Sequence, residues 1–355
     1  MKKKLLSAIL CAAMTVTMLA GCGAAGSGTA TGGDAASGGG AGKSDVTCAI
    51  LVKSAGNPYN KKMIEGFQEI MDAEGVKYVV KEPKEASAEE QIKMVNELVA
   101  QGVSSIAIAG NDPDALQPAL EEAMNKGIKV LCMDSSVNAD SRQLFINQAG
   151  IEIIGKTLME AVYDITGGKG QWAILSATSQ ATNQNAWIEA MKEVMEEEKF
   201  ADLELVEVAY GDDEYQKSVD QTQALLTNYP DLKAICAPTT VGIMAAAKVL
   251  QDEKSPVKLT GLGLPSEMAD YIGEDADHSC PYMYLWNPID IGRLSAYASL
   301  ALIDGSITGA EGETFTAGDL GKYTITKASD GGTEVVLGPP FAFTPENIGE
   351  WKDVY

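Results

Sequence analysis

Histidine is nearly missing: one residue, His278, in a chain of 355. A multi-histidine metal centre is thereby excluded, and a Ser/His/Asp hydrolase has almost no raw material. Basic residues are scarce as well. Lys plus Arg amounts to 27 against 50 Asp plus Glu, a net charge of −23. So acidic a surface repels the nucleic-acid backbone and anionic lipid, which makes DNA and RNA poor partners. No Cys-x-x-Cys pair occurs among the six cysteines, so a zinc or dithiol site has no support. The apolar run Leu5–Ala20 is 16 residues long, short of the ~20 a spanning helix needs.

That run belongs instead to an address. Lys2, Lys3 and Lys4 precede it and Leu19-Ala20-Gly21-Cys22 closes it, the layout of a secretory signal over residues 1–21. The ending is similar to a bacterial lipobox, which implies cleavage before Cys22 and a lipid on its sulfur. Residues 22–45 then offer no apolar side chain larger than Ala and read as a flexible tether. The expected location is extracytoplasmic, lipid-anchored to the membrane. Of the cysteines left after Cys11 and Cys22, Cys48, Cys132 and Cys236 sit inside strand-like apolar runs and Cys280 starts another. They read as buried thiols, with a disulfide among them left open.

From residue 46 onward, strand and helix patterns alternate. Val46–Val52 is a short strand; Met63, Ile64, Phe67, Ile70 and Met71 then share a helical face that stops at Gly75. Val76–Val80 is the next strand, and Ser87 with Glu90 reads as a capping box before a helix ending at Gly102. Val103–Ala109 and Ile128–Met133 are further strands around a helix capped by Asp112-Pro113. After Asp134 the rhythm restarts, with strands at 144–147, 171–176, 203–209, 232–237, 257–262 and 280–286. The tail 321–337 reads as a hairpin around Asp330-Gly331-Gly332. The expected fold is α/β, with two doubly wound parallel-sheet lobes and a cleft between them.

Ligands of open parallel sheets sit beyond the carboxyl ends of the strands. Those ends carry Lys53 and Asn57, Asn111 and Asp112, Asp134, Gln148, Asn183 and Gln184, Asp212 and Asp213, Pro238-Thr239-Thr240, and Trp286-Asn287. Short amides, hydroxyls and carboxylates with one indole suit a small polyhydroxylated ligand. Carboxylates and amides bind vicinal hydroxyls in pairs, and an indole covers the C–H face of a sugar ring.

Other motifs point elsewhere and fail on physical grounds. Gly150–Thr157 satisfies the P-loop pattern, yet Ile151, Ile153 and Ile154 are bulky where the loop needs φ-tolerant residues, and Glu152 would repel phosphate. Gly261-Leu262-Gly263 lacks the rest of a dinucleotide fingerprint. Asp212-Asp213-Glu214 lacks the glycine of a calcium loop and reads as a helix cap.

Taken together, the stretches Val52–Asn57, Asn111–Leu116, Met133–Ser135, Thr182–Trp187, Ala237–Gly242, Gly261–Pro265 and Leu285–Pro288 resemble the type 1 periplasmic solute-binding proteins of sugar ABC importers. The branch they look most like contains the rhamnose-binding protein and the autoinducer-2 receptor. The resemblance implies two lobes joined by a three-segment hinge, with crossings near Asn138, Asn287 and Gly312. The first lobe would then comprise 46–138 plus 288–312, and the second 139–287 plus 313–355. It implies ligand contacts from Lys53, Asp134, Asn183, Gln184, Pro238 and Thr240, to which the strand-end reading adds Asn57 and Trp286. Asn183 stands where the autoinducer-2 pattern has Asp, and Thr240 where it has Ala; both departures look like the rhamnose pattern.

The implied function is a monomeric, lipid-anchored binding protein, not an enzyme, that hands a rhamnose-like sugar or autoinducer-2 to an ABC permease. No cofactor, metal or nucleic acid is expected. The alternatives are an autoinducer-2 quorum-sensing or chemotaxis receptor of the same fold and, more distantly, a secreted glycosidase, for which no paired acids stand at matching strand ends. Cys22→Ala is expected to release an otherwise folded protein from the membrane fraction. Retention of the variant on membranes after a high-salt wash would rule out the lipid anchor.

Overall fold

The computed structural model describes residues 45–355; the expected signal, Cys22 and nearly all of the tether lie outside them. Strands β1 (Thr47–Leu51), β2 (Lys77–Lys81), β3 (Ser105–Ile108) and β4 (Lys129–Met133) alternate with helices α1 (Pro58–Glu74), α2 (Ala88–Gln101) and α3 (Pro113–Asn125). All four strands pair in parallel. Their side chains alternate between two buried faces. Cys48 and Ile50 of β1 point into the layer with Met63, Phe67 and Ile70 of α1. Ala49 and Leu51 point into the layer with Val95 and Leu98 of α2 and Leu116 and Leu120 of α3. A strand buried on both sides needs apolar residues at every position, which is why these runs are continuous rather than alternating.

β5 (Leu144–Asn147) follows, then α4 (Ile151–Thr166), β6 (Gly170–Ser176), α5 (Thr182–Met195), β7 (Leu203–Tyr210), α6 (Tyr215–Asn228), β8 (Leu232–Ala237), α7 (Thr240–Asp252) and β9 (Lys258–Gly261). A second parallel sheet has the order β7-β6-β8-β9. Short α8 (Pro265–Met268) and β10 (Met283–Leu285) lead into α9 (Pro288–Asp304). The tail adds β11 (Thr314–Thr316), β12 (Lys322–Thr324), β13 (Thr326–Lys327), β14 (Thr333–Val336), β15 (Phe341–Phe343) and α10 (Ile348–Trp351).

Sheet membership departs from the expected boundaries in two places. β5 was expected in the second lobe, but it pairs in parallel with β4, matching Leu131 to Leu144 and Met133 to Ile146. β14 then pairs in parallel with β5, and β13 pairs with β14 in the expected hairpin, so the first sheet runs β13-β14-β5-β4-β3-β1-β2. The chain therefore passes to the second sheet after Asn147 rather than near Asn138. It passes back between β10 and α9, and crosses a third time between β14 and β15 rather than near Gly312, since β15 pairs with β10. Two tail contacts secure β5 and the hairpin: Arg142 binds Asp330 at 2.7 Å, and Asn147 donates to Glu334 at 2.9 Å.

The expected capping box also resolves differently. Ser87 is the N-cap of α2 but its side chain makes no capping bond. The Glu90 carboxylate instead accepts from the backbone N–H groups of Lys84 and Glu85 and so orders the preceding loop. Asp112 caps α3 through Asp114 and Ala115, as read from the sequence. Gly75 and Gly102 close α1 and α2 in the left-handed conformation. The P-loop look-alike is ordinary helix, with Ile154 and Leu158 buried on one face of α4. Cys48, Cys132, Cys236 and Cys280 are free thiols in the core. Among the described residues, no helix is long and apolar enough to cross a membrane.

One packing contact governs how the cleft is framed. α1 and α9 cross with backbone against backbone: a Cβ on Gly66 would run into the Ile289 carbonyl, and one on Gly292 into the Met63 carbonyl. Both helices begin at the cleft, α1 with Asn57 as cap and α9 with Asn287. Gly66→Ala and Gly292→Ala should each force the helices apart and destabilise the protein by about 1–3 kcal/mol. Urea unfolding of the two variants checks this, with Gly349→Ala, where added bulk meets nothing, as the control.

Candidate functional site

Between the strand ends of the two sheets lies a cavity lined by Lys53, Asn57, Tyr59, Asn60, Asp134, Asn183, Gln184, Trp187, Asp213, Pro238, Thr239, Thr240, Leu262, Leu285 and Trp286. All eight residues singled out from the sequence line it. Lys53 follows β1, Asp134 follows β4, and Asn57 with Tyr59 opens α1; these come from the first sheet's side. Asn183 and Gln184 open α5, Asp213 follows β7, Pro238–Thr240 follows β8, and Trp286 follows β10. Asp134, Asp212 and Asp213 hold positive φ values of 60°, 54° and 58°, a conformation a short Asp side chain tolerates better than a bulkier residue would. These left-handed turns bring the chain sharply round at the strand ends.

The polar groups bond to one another across the cleft. Lys53 Nζ donates to Asn183 Oδ1 at 2.8 Å and to Gln184 Oε1 at 3.4 Å. Asn183 Nδ2 donates to Asp134 Oδ2 at 3.1 Å, and Lys53 stands 3.9 Å from that same oxygen. Asn57 Nδ2 donates to Asp213 Oδ2 at 3.0 Å, while Thr240 Oγ1 donates to Asn57 Oδ1 at 3.2 Å. Thr239 completes Asp213 at 3.0 Å. The space left among these side chains is about 40 Å³, enough for one or two water molecules.

Behind Asp134 runs an aromatic relay. Trp286 Nε1 donates to the Tyr59 hydroxyl at 2.6 Å, and that hydroxyl donates to Asp134 Oδ1 at 3.0 Å. Trp187 packs edge-on against Trp286 with ring centres 5.6 Å apart. Burial raises the Asp134 carboxyl above the ordinary carboxylate range, against the opposing pull of Lys53 and its hydrogen bonds. Burial likewise lowers Lys53, with Asp134 and Asp213 opposing it. Two carboxylates face one ammonium, so the cavity's formal balance is negative and it disfavours an anionic ligand.

Several strand-end residues serve the frame rather than the cavity. Asn111 Nδ2 holds the Lys53 carbonyl at 3.0 Å. Gln91, wholly buried on α2, donates to the carbonyls of Val52 and Ala109 and accepts from Asn111 N–H, tying the ends of β1 and β3. Asp112 and Asn287 are helix caps, and Asp212 pairs with Lys217 at the rim. Gln148 is buried just beyond β5 and contributes nothing to the cavity lining. Residues added by the structure are Tyr59, Asn60, Trp187, Leu262 and Leu285, while Asp213 and Thr239, already noted at the strand ends, line the cavity beside the eight. Trp187 could have been found, since it lies one helical turn beyond Asn183 on the same face. Leu262 and Leu285 carry no such signal, being indistinguishable from core residues.

The periplasmic binding protein domain family matches residues 48–307. The chain belongs to that family. An ABC-transporter solute-binding protein from Clostridium phytofermentas, solved with bound L-rhamnose, is 60% identical, with 87% of this chain and 99% of that one covered and a TM-score of 0.86. The D-ribose/D-allose-binding protein of Pseudomonas aeruginosa is 25% identical over 205 residues, 53% of this chain and 61% of that protein. LsrB from Clostridium saccharobutylicum, solved with AI-2, superposes with a TM-score of 0.80 over 86% of this chain at 20% identity, a likeness of fold.

In this periplasmic binding protein, Tyr59→Phe would leave both Trp286 Nε1 and Asp134 Oδ1 short of a partner inside the wall. An unmade buried hydrogen bond costs about 1–3 kcal/mol. A lowered denaturation midpoint with an unchanged denaturant slope is the expected result for the ligand-free variant.

Proposed function

We propose that this chain captures a neutral 6-deoxyhexose of the rhamnose kind in its interlobe cavity and delivers it, as a monomer lipid-anchored at Cys22, to an ABC permease. The observation that carries this reading is the cluster of polar groups that meet across the cleft. Lys53, Asn57, Asp134, Asn183, Gln184 and Thr240 present donors and acceptors from both lobes at hydrogen-bonding distance. A polyol entering between them would exchange those side-chain bonds for its own hydroxyls. It would touch both lobes at once only when they are shut, so binding favours the closed form and a permease can distinguish loaded from empty protein. The 60%-identical relative with L-rhamnose supports the choice of sugar. Trp286 would cover an apolar ring face and Pro238 would shape the opposite rim.

Asn183 bears on the autoinducer-2 alternative. Its amide donates to Asp134 while its carbonyl accepts from Lys53. An Asp in that place could only accept and would set two carboxylates against each other, which a different neighbourhood would have to offset. The cavity therefore suits a neutral sugar better than a site built on an acidic pair.

Asp134 is the decisive position. Hydrogen bonds to a charged acceptor contribute about 1.5–3 kcal/mol each, so Asp134→Ala should weaken L-rhamnose binding by roughly 100-fold or more. Lys156→Ala, on the exposed side of the P-loop look-alike, should leave affinity unchanged within about twofold. Titration calorimetry showing the opposite ranking would overturn the site, and absence of any L-rhamnose binding would overturn the ligand.

A further inference from the structure

The cavity has an apolar end that hydroxyl-binding residues do not explain. Leu262 follows β9 and forms a bridge with Tyr284, which sets it beside Leu285 and Trp286 at the end of β10. Trp187 closes the corner by packing on Trp286. All four side chains line the cavity and all four are buried. This corner presents little that a hydroxyl could bond. The leucines have no polar side-chain atom and the donor of Trp286 is committed to Tyr59, so the Trp187 indole N–H is the one side-chain donor these four residues leave open. The nearby backbone N–H groups are occupied too, Leu262 with Ala237 and Gly263 with Tyr284. The polar groups begin next to it: Tyr59 links Trp286 to Asp134, and Asn183 lies one helical turn before Trp187.

We propose that Trp187, Leu262, Leu285 and Trp286 read the substituent on carbon 5 of the sugar ring and select a methyl group over a hydroxymethyl group. This inference rests on the deoxyhexose reading above and deepens it, because it assigns the discrimination to named residues. A methyl placed in the corner leaves water for an apolar surround. A hydroxymethyl would carry a hydroxyl into the same space with no side-chain acceptor for its proton, and a hydrogen atom alone would leave the corner unfilled.

Three sugars isolate the effect. L-Lyxose, L-rhamnose and L-mannose share the ring configuration and differ at carbon 5 by hydrogen, methyl and hydroxymethyl. Titration calorimetry of the wild-type protein should give L-rhamnose an affinity roughly 10- to 100-fold above L-mannose and roughly 10-fold above L-lyxose, the range an apolar pocket can supply for such changes. Leu262→Asn and Leu285→Asn should narrow the ratio between L-rhamnose and L-mannose, because each brings a partner for the added hydroxyl. A merely structural role would weaken all three sugars alike and leave the ratio in place. If L-mannose binds the wild type within threefold of L-rhamnose, the corner does not read carbon 5, although the deoxyhexose reading stands. If none of the three binds while another sugar does, both readings fall. The wild-type series decides the matter even where a leucine variant does not fold.

Discussion

The structure is organised around a carboxylate that has been taken out of water. Asp134 is buried and ionised only at a cost, and the groups that offset it come from distant parts of the chain: Lys53 after the first strand, Tyr59 in the first turn of α1, and Asn183 at the start of α5. Three of these four stand on the first sheet's side, and Asn183 reaches them from the second. The charge is therefore fully provided for only when the two strand-end surfaces lie against each other. Burial lifts the Asp134 carboxyl and lowers the Lys53 ammonium. Those directions mark a pair whose burial costs more than its mutual attraction offsets, so it depends on the surrounding hydrogen bonds.

Contacts within the frame hold this meeting in register. Gln91 and Asn111 tie the ends of β1 and β3 so that Lys53 leaves the sheet in one direction. The contact between Gly66 and Gly292 brings α1 and α9 to backbone distance, and both helices start at the cleft. Tyr59 and Trp286, near those two starts, meet edge to face with ring centres 6.5 Å apart and share a hydrogen bond. The aromatic wall thus joins the return crossing of the chain to the residue that carries the central charge.

Much of this was legible beforehand because it rests on local chemistry. Continuous apolar runs between capped helices announce parallel strands, and parallel strands direct attention to their carboxyl ends, where all eight singled-out residues meet. What escaped was tertiary. Leu144–Asn147 reads as a strand from its own residues, but nothing in those residues says which sheet it joins; pairing with β4 and β14 decides that. Glu90 sits three positions after Ser87 as a capping box requires, yet a loop with two free N–H groups competes for its carboxylate and wins. Asp213 stood among the strand-end groups but also read as a cap of the helix that follows; no side chain caps α6, and the carboxylate bonds Asn57 and Thr239 instead, partners its own neighbourhood does not announce.

The tail's division between the first sheet and the separate β10–β15 pair bears on how the chain can acquire its shape. β14 completes the first sheet beside β5, while β15 pairs with β10 on the other side of the hinge. The contacts that fasten β5 span separations of 187 and 188 residues, Asn147 to Glu334 and Arg142 to Asp330. α9, which packs on α1 at Gly66, also arrives late. As the polypeptide emerges residue by residue from synthesis, the first lobe lacks its helix and its edge strands until nearly the last segment has appeared. Contacts of such long range are slow to form and come only after loop closure. The first sheet cannot be complete before that segment appears, and an early truncation removes both its edge pairing and the strand beside β10.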